Sequence, residues 1–233
     1  MNAQNMQFLF ESLIQTMYGG FEEQERPDTD TIFRFLNLAV DRYLKEKYLS
    51  QSTFKDNVEF VQKNSDDLRE LIKRQSGLTK NPLTGIPNRS LVNLPSDYLF
   101  YIKSESKVTR TALPVVTVAV WVPNREVTYK ELAKVTTSVY NIPILRHPVV
   151  TFEESDKILL YKDNYTTISD FEITYIREPK DLVLTVVDSA TETATVELAG
   201  HTHEEIVRLA VDMFTMEYKF RLQIKQPTTG EAK

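Results

Sequence analysis

His201 and His203 are the one pair of imidazoles spaced to share a ligand, and Glu204 and Glu205 follow them directly. On a strand, residues two apart share a face, and this H-x-H pair would have a genuine metal-ligand spacing. At a helix start the two rings diverge, and Thr202 between them has the chemistry of a helix cap. The helical reading is the simpler one, because an apolar series at helical spacing begins at Ile206. The remaining histidine, His147, precedes Pro148, and there is no cysteine. Disulfides, thiolate nucleophiles and cysteine-bound metals are therefore excluded. The expectation is no metal site and no cofactor.

Other chemistry is equally sparse. Acyl transfer needs a Ser or Thr beside a base, and the chain has no G-x-S-x-G elbow. Six glycines leave no G-x-G-x-x-G and no Walker loop. The carboxylate pairs Asp66-Asp67, Glu153-Glu154 and Glu204-Glu205 are adjacent in sequence. Such neighbours do not converge on a substrate, and a solvated face or a helix N-terminus accounts for them. No catalytic residue is assigned, and the expectation is a protein that is not an enzyme.

What remains is contact chemistry. Eleven tyrosines and twelve phenylalanines are spread over the chain, and most are ordinary core and strand packing. Tyr161 and Tyr165 flank Lys162-Asp163-Asn164, a turn-like stretch, and tyrosine suits interfaces because it buries area while keeping a polar tip. Tyr161, Lys162, Asn164 and Tyr165 are therefore candidate interface residues. Lys80 and Arg89, in the Gly/Pro/Asn-rich stretch 75–89, join them. Arg110, Arg125, Arg146 and Lys162 offer positive charge in the middle of the chain, with solvated surface charge as the simpler account.

The elements that position these residues follow an order of helix, strand, helix. Residues 7–18 fit a short helix with Phe8, Leu9, Leu13 and Met17 near helical spacing, stopped by Gly19-Gly20. Phe33, Leu36, Val40, Tyr43, Leu44 and Lys47 mark a second helix, capped by Asp28 or Thr29. Ser52 fits the cap of a third, striped by Phe54, Val58, Val61, Leu68 and Ile72, with residues 49–51 as the link. Residues 75–89 read as a long loop. Strands are expected at 98–104, 115–122, 149–153, 157–161 and 171–176, with short ones at 182–187 and 195–198. Thr128 and Glu131 fit a capping box for a helix over 128–138, and Thr202 and Glu205 fit another for the last helix.

The fold class is α+β: a helical bundle from residues 1–90 and 200–225, a mainly antiparallel β-rich domain at 91–199 inserted into it, and a flexible tail at 226–233. The 233 residues are enough to bury a sizeable core. The net charge of −5 argues against a general nucleic-acid-binding surface. The longest apolar run, 113–122, is too short to span a bilayer. The first residues lack the basic start of a secretory signal, so a soluble protein made in the cytoplasm is expected.

Two motifs bracket the β-rich middle. Leu94-Pro95-Ser96-Asp97-Tyr98-Leu99 follows the helical part, and Ile173-Thr174-Tyr175-Ile176-Arg177-Glu178-Pro179 precedes the last helix, which opens Glu204-Glu205-Ile206-Val207-Arg208-Leu209-Ala210-Val211. The order resembles the head-to-tail adaptor, or tail tubular ring, proteins of short-tailed bacteriophages, where a similar L-P-x-D and a similar Y-I-x-x-P hold those places. Phe35-Leu36-Asn37-Leu38-Ala39, Arg42-Tyr43-Leu44-Lys45 and Asn57-Val58-Glu59-Phe60-Val61 look like virion proteins of crAss-like phages. The segment 127–147 departs from the simplest adaptors. The resemblance implies a virion structural protein: a homo-oligomeric ring of about twelve copies, joining the portal to neighbouring ring or tail proteins and enclosing a channel through which DNA passes without specific binding. The alternative is a non-enzymatic protein-binding module or regulator that grips a partner with the 75–90 loop.

Overall fold

The computed structural model of the protein describes residues 1–18, 27–53, 66–83, 88–111, 115–137, 148–154, 156–187, 190–193 and 196–225. These form two compact units. One joins the two ends of the chain, Met1–Leu71 with Pro179–Lys233, and the other is Ile72–Glu178. The fold is α+β, with helices at the termini and mostly antiparallel sheet between them.

The helical unit contains α1 (Ala3–Tyr18), α2 (Thr29–Thr53) and the last helix, α4 (His203–Lys225). Asp28 starts α2 by accepting a hydrogen bond from the Thr31 amide at 3.2 Å. The buried face of α2 is Ile32, Phe33, Phe35, Leu36, Ala39, Val40, Tyr43 and Leu44. It meets α4 through Phe35 and Phe214, whose rings sit edge to face with centroids 5.4 Å apart, and Phe10 of α1 meets Phe214 at 5.8 Å. The buried face of α1 is Ala3, Met6, Phe10 and Ile14, whereas Phe8, expected in the apolar stripe, is 57% exposed. Both series have helical spacing, and the docking partner decides between them. The expected break at 49–51 is absent: α2 runs through it to Thr53. Leu49, Ser50 and Gln51 include neither glycine nor proline, so nothing there stops a helix. Ser52 accordingly lies inside α2, and the predicted third helix falls mostly at 54–65, outside the described residues. A two-stranded ribbon, β10 (Leu184–Val187) and β11 (Ala190–Thr193), completes this unit. Val196 and Leu198, expected in a strand, are buried without being in one.

The β unit holds two sheets. One has the order β1 (Ile72–Gln75), β9 (Thr166–Arg177), β4 (Tyr98–Arg110), β5 (Val116–Pro123). The other has the order β2 (Lys80–Pro82), β3 (Arg89–Asn93), β8 (Lys157–Tyr161), β7 (Val149–Glu154), β6 (Arg125–Glu126). Phe171, Ile173 and Tyr175 from the first sheet form one core with Val92, Val150, Ile158 and Leu160 from the second. The back of the second sheet is also covered. Val127, Leu132 and Val135, on and before α3 (Tyr129–Thr137), pack against Val149, Leu159 and Tyr161. β8 is therefore buried on both faces, and its Ile-Leu-Leu-Tyr run needs no polar alternation. At the start of α3 the Thr128 hydroxyl donates to the Glu131 carboxylate at 3.0 Å, a side-chain contact between the two residues of the expected capping box. Part of the role of 127–147 is thus to seal a sheet face; residues 138–147, with Arg146 and His147, lie outside the described residues.

The stretch read as a loop over 75–90 holds short strand segments among its described residues. β2 and the first residues of β3 lie in it, and Lys80 pairs opposite Val92 and Pro82 opposite Ser90. Gly77, with φ of 73°, lies in the link between β1 and β2. The chain passes into the β unit at Ile72 and out at Glu178, whereas the motifs place the first crossing near Leu94. The reason is β1, which pairs with β9 with Ile72 opposite Ile176. The expected tail 226–233 lies outside the described residues.

Candidate functional site

The two motifs meet. Asp97, in the turn before β4, accepts a hydrogen bond from the Tyr175 hydroxyl at 2.7 Å and one from Lys73 Nζ at 2.8 Å. Its carbonyl accepts from the Glu178 amide at 2.8 Å. The Tyr175 hydroxyl also lies 3.2 Å from Gln75 Oε1, and its ring packs 5.9 Å from that of Tyr98. Leu94-Pro95-Ser96-Asp97 and Tyr175-Ile176-Arg177-Glu178-Pro179 are thus two halves of one clasp across β1, β9 and β4. Burial, and then the Asp97 carboxylate, push the Tyr175 phenol up to about 12, so it stays a donor. Burial raises the Asp97 carboxyl, but the bonds from Lys73 and Tyr175 outweigh it and hold the group below its ordinary value. Each polar member has a partner inside the set. The clasp can hold strands; it offers no unoccupied acid, base or nucleophile.

The interface candidates from the sequence divide. Arg89 and Tyr161 are directly opposed on β3 and β8, with the guanidinium 4.9 Å from the Tyr161 ring centroid. Tyr161, expected on an exposed turn, is buried, because α3 covers that side of β8; burial raises its phenol. Lys162 is half-buried, its amide donating to the Asn88 carbonyl at 3.0 Å and its Nζ to the Thr166 carbonyl at 2.9 Å. Asn164 and Tyr165 are exposed. Their turn is held by the Tyr165 amide donating to Asp163 Oδ1 at 3.1 Å, and Asp163 in turn pairs with Arg110 at 3.4 Å. Arg89, Tyr161, Lys162, Asn164 and Tyr165 therefore form one corner of the β unit. Lys80 is elsewhere: it lies three positions from Arg89 in the β2–β3 register, and its amine donates to the Ile168 carbonyl at 2.9 Å. Burial lowers that amine below its ordinary value.

The helical unit has a polar cluster that the sequence did not single out. Asp67, buried, accepts from Tyr43 OH at 3.0 Å, lies 2.6 Å from His201 Nε2, and pairs with Lys47 at 3.4 Å. Glu205 lies 3.3 Å from the same Tyr43 hydroxyl. Burial, then Asp67, raise the Tyr43 phenol strongly. Asp67 itself sits below the ordinary carboxylate value, its bonds to His201, Tyr43 and Lys47 together exceeding the burial penalty. The available signal was Tyr43 and Lys47 four residues apart on one helix, where the amine lies 4.9 Å from the ring centroid.

His201 and His203 diverge, as the helix-start reading requires. His201 turns to Asp67, and His203, buried, places Nε2 2.9 Å from the Leu198 carbonyl. Thr202 does not cap α4: it lies in a 3-10 turn, Gly200–Thr202, and its hydroxyl donates back to Ala199 at 2.8 Å. Among the described residues, no group of three or more His, Cys, Asp or Glu is placed to hold a metal ion. Nor is any helix among them long and apolar enough to cross a membrane.

The polar clusters of this α+β chain secure its own strands and helices. The chain belongs to the crAss-type family of phage tail ring protein 3/4, whose family model matches residues 3–225. It is a structural component of a phage tail. A search of curated proteins finds no match.

Proposed function

We propose that this tail ring protein forms a homo-oligomeric ring of about twelve copies that connects the portal to the rest of the tail and encloses the channel through which the genome leaves. The observation that carries this reading is the family match over residues 3–225, nearly the whole chain. The chemistry of the chain supports it. A ring subunit needs no nucleophile, base or metal, and the polar clusters at Asp97 and Asp67 are closed sets of mutual partners. The net charge of −5 suits a lumen along which DNA slides, since such a subunit neutralises few phosphates. The subunit is made in the host cytoplasm and works in the particle without catalysis. Exposed Asn164 and Tyr165, on their pinned turn, are contact residues for a neighbouring ring or tail protein.

The reading of a binding module that grips a partner with the 75–90 loop is disfavoured, because β2 and the start of β3 pair with each other within that stretch. The test is quantitative mass spectrometry of purified particles together with imaging of the tail. The chain is expected in a ring's worth of copies at the portal–tail junction. Absence from mature particles, or a location away from that junction, overturns the proposal.

A further inference from the structure

The two sheets of the β unit end in four edges. β6 is two residues long, β2 is three and contains Pro82, and β1 is four with Lys73 and Arg74 at its centre. Shortness, proline and charge each protect an edge against pairing with another chain. β5 is different. It runs for eight residues, Val-Thr-Val-Ala-Val-Trp-Val-Pro, without a charge, and its one strand neighbour among the described residues is β4.

Three of its large apolar side chains are exposed. Val118 is 75% exposed, Val120 and Trp121 are 40% each. The register shows which face they belong to. Val120 is opposite Val108, which is opposite Ile168, and Val122 is opposite Ser106, which is opposite Phe171. Phe171 is fully buried in the core between the sheets, and Ile168 packs against that core. Val120 and Val122 therefore continue the core-side face of the sheet, and Val118 lies within the register shift that follows them. Trp121, opposite Lys107, lies on the other face. The register shifts between Val108 and Arg110, where four steps along β5 (Val120 to Val116) span two along β4. A bulge of this kind bends the strand and re-aims side chains, so apolar contact rather than a long continued ladder is the main term at that end.

We propose that in the assembled ring this β5 edge is covered by a second copy of the same chain. The proposal rests on the ring reading above and adds the surface that makes the ring. A closed ring repeats one head-to-tail contact, so each copy presents one surface to the neighbour on one side and a different surface to the other. Every copy thus has another copy beside it at the same place. An uncharged strand with three exposed apolar side chains suits a permanent, apolar contact of this sort. It carries no positive charge with which to neutralise DNA phosphate.

The experiment places photo-reactive p-benzoylphenylalanine at position 118 of the full chain during particle assembly and maps cross-links in purified particles. The expected product has twice the mass of the chain and joins position 118 to a peptide of a second copy. Cross-links to a different virion protein, or none, overturn the assignment. If the particles hold a ring of this chain under either of those outcomes, the ring reading stands and the edge assignment alone fails. If the chain is absent from particles, both fail. A second variant, Val118→Glu, is expected to keep the circular dichroism of the free subunit and to enter particles at least about tenfold less. Unreduced entry overturns the assignment.

Discussion

The two edges of the four-stranded sheet make an instructive contrast. At the β1 edge, Lys73 is tied to Asp97, and Arg74 reaches Glu172 and Glu105. Gln75 adds its contact to the Tyr175 hydroxyl. At the β5 edge the outward side chains are Val118, Val120 and Trp121. One edge is finished within the subunit by polar chemistry; the other is left apolar. Stability should therefore be sensitive at the first edge and assembly at the second.

The largest expected effect lies in the core beneath both edges. Phe171→Ala removes a fully buried ring and should cost about 4 kcal/mol, measured by urea unfolding followed through Trp121, the single tryptophan. A loss under about 1 kcal/mol would break the picture of a shared core. Next comes the clasp. Asp97→Ala should cost about 2 kcal/mol, mainly by depriving the buried Tyr175 hydroxyl of its charged acceptor, and Tyr175→Phe about 1 kcal/mol. The double variant should cost less than the sum of the two, because both delete the same bond. The exposed Lys73–Asp97 pair contributes little to these figures.

Acid sharpens the contrast between the units. Burial lowers the His203 imidazole, which the Leu198 carbonyl only partly opposes; Nδ1 lies 2.8 Å from the Met1 amine. Its folded value is depressed, so the unfolded chain binds the proton first, and stability of the helical unit falls as pH drops below about 6.5. The Asp97 carboxyl is also depressed, so its share of β-unit stability is present above about pH 4 and is lost as pH falls through the folded value. Helical circular dichroism should thus begin to fall at higher pH than the Trp121 fluorescence changes; the reverse order would contradict these assignments. The smallest effect is at the bare edge: Val118→Glu should change free-subunit stability by no more than about 0.5 kcal/mol, since the side chain is 75% exposed.

Much of the fold was legible because it is local. Strand alternation and β-branched runs located β4, β5, β7, β8 and β9, and the Thr128–Glu131 pair located α3. What failed was decided by distant partners. The segment 75–90 is dense in turn formers, yet short strands survive between the turns because β3 has β8 to pair with. Tyr161 reads as a turn residue, and it is buried by a helix 24 to 32 positions earlier in the chain. Phe8 lost its place to Phe10 because the position of α4 sets the buried face of α1. The site followed the same rule. Asp97 and Tyr175 stood out as motif residues, but they are 78 positions apart, and nothing local says that they touch. β5 was expected as a strand at 115–122, but nothing local marked it as an edge. Its meaning lies in having, among the described residues, a strand neighbour on one side and not the other.

The most direct measurement is a cryo-EM map of the native particle at side-chain resolution. A closed ring of this chain is expected in the tail beneath the portal, with Val118 and Val120 of each copy buried against the next. A particle without such a ring, or a ring in which β5 faces solvent or a different protein, would contradict it.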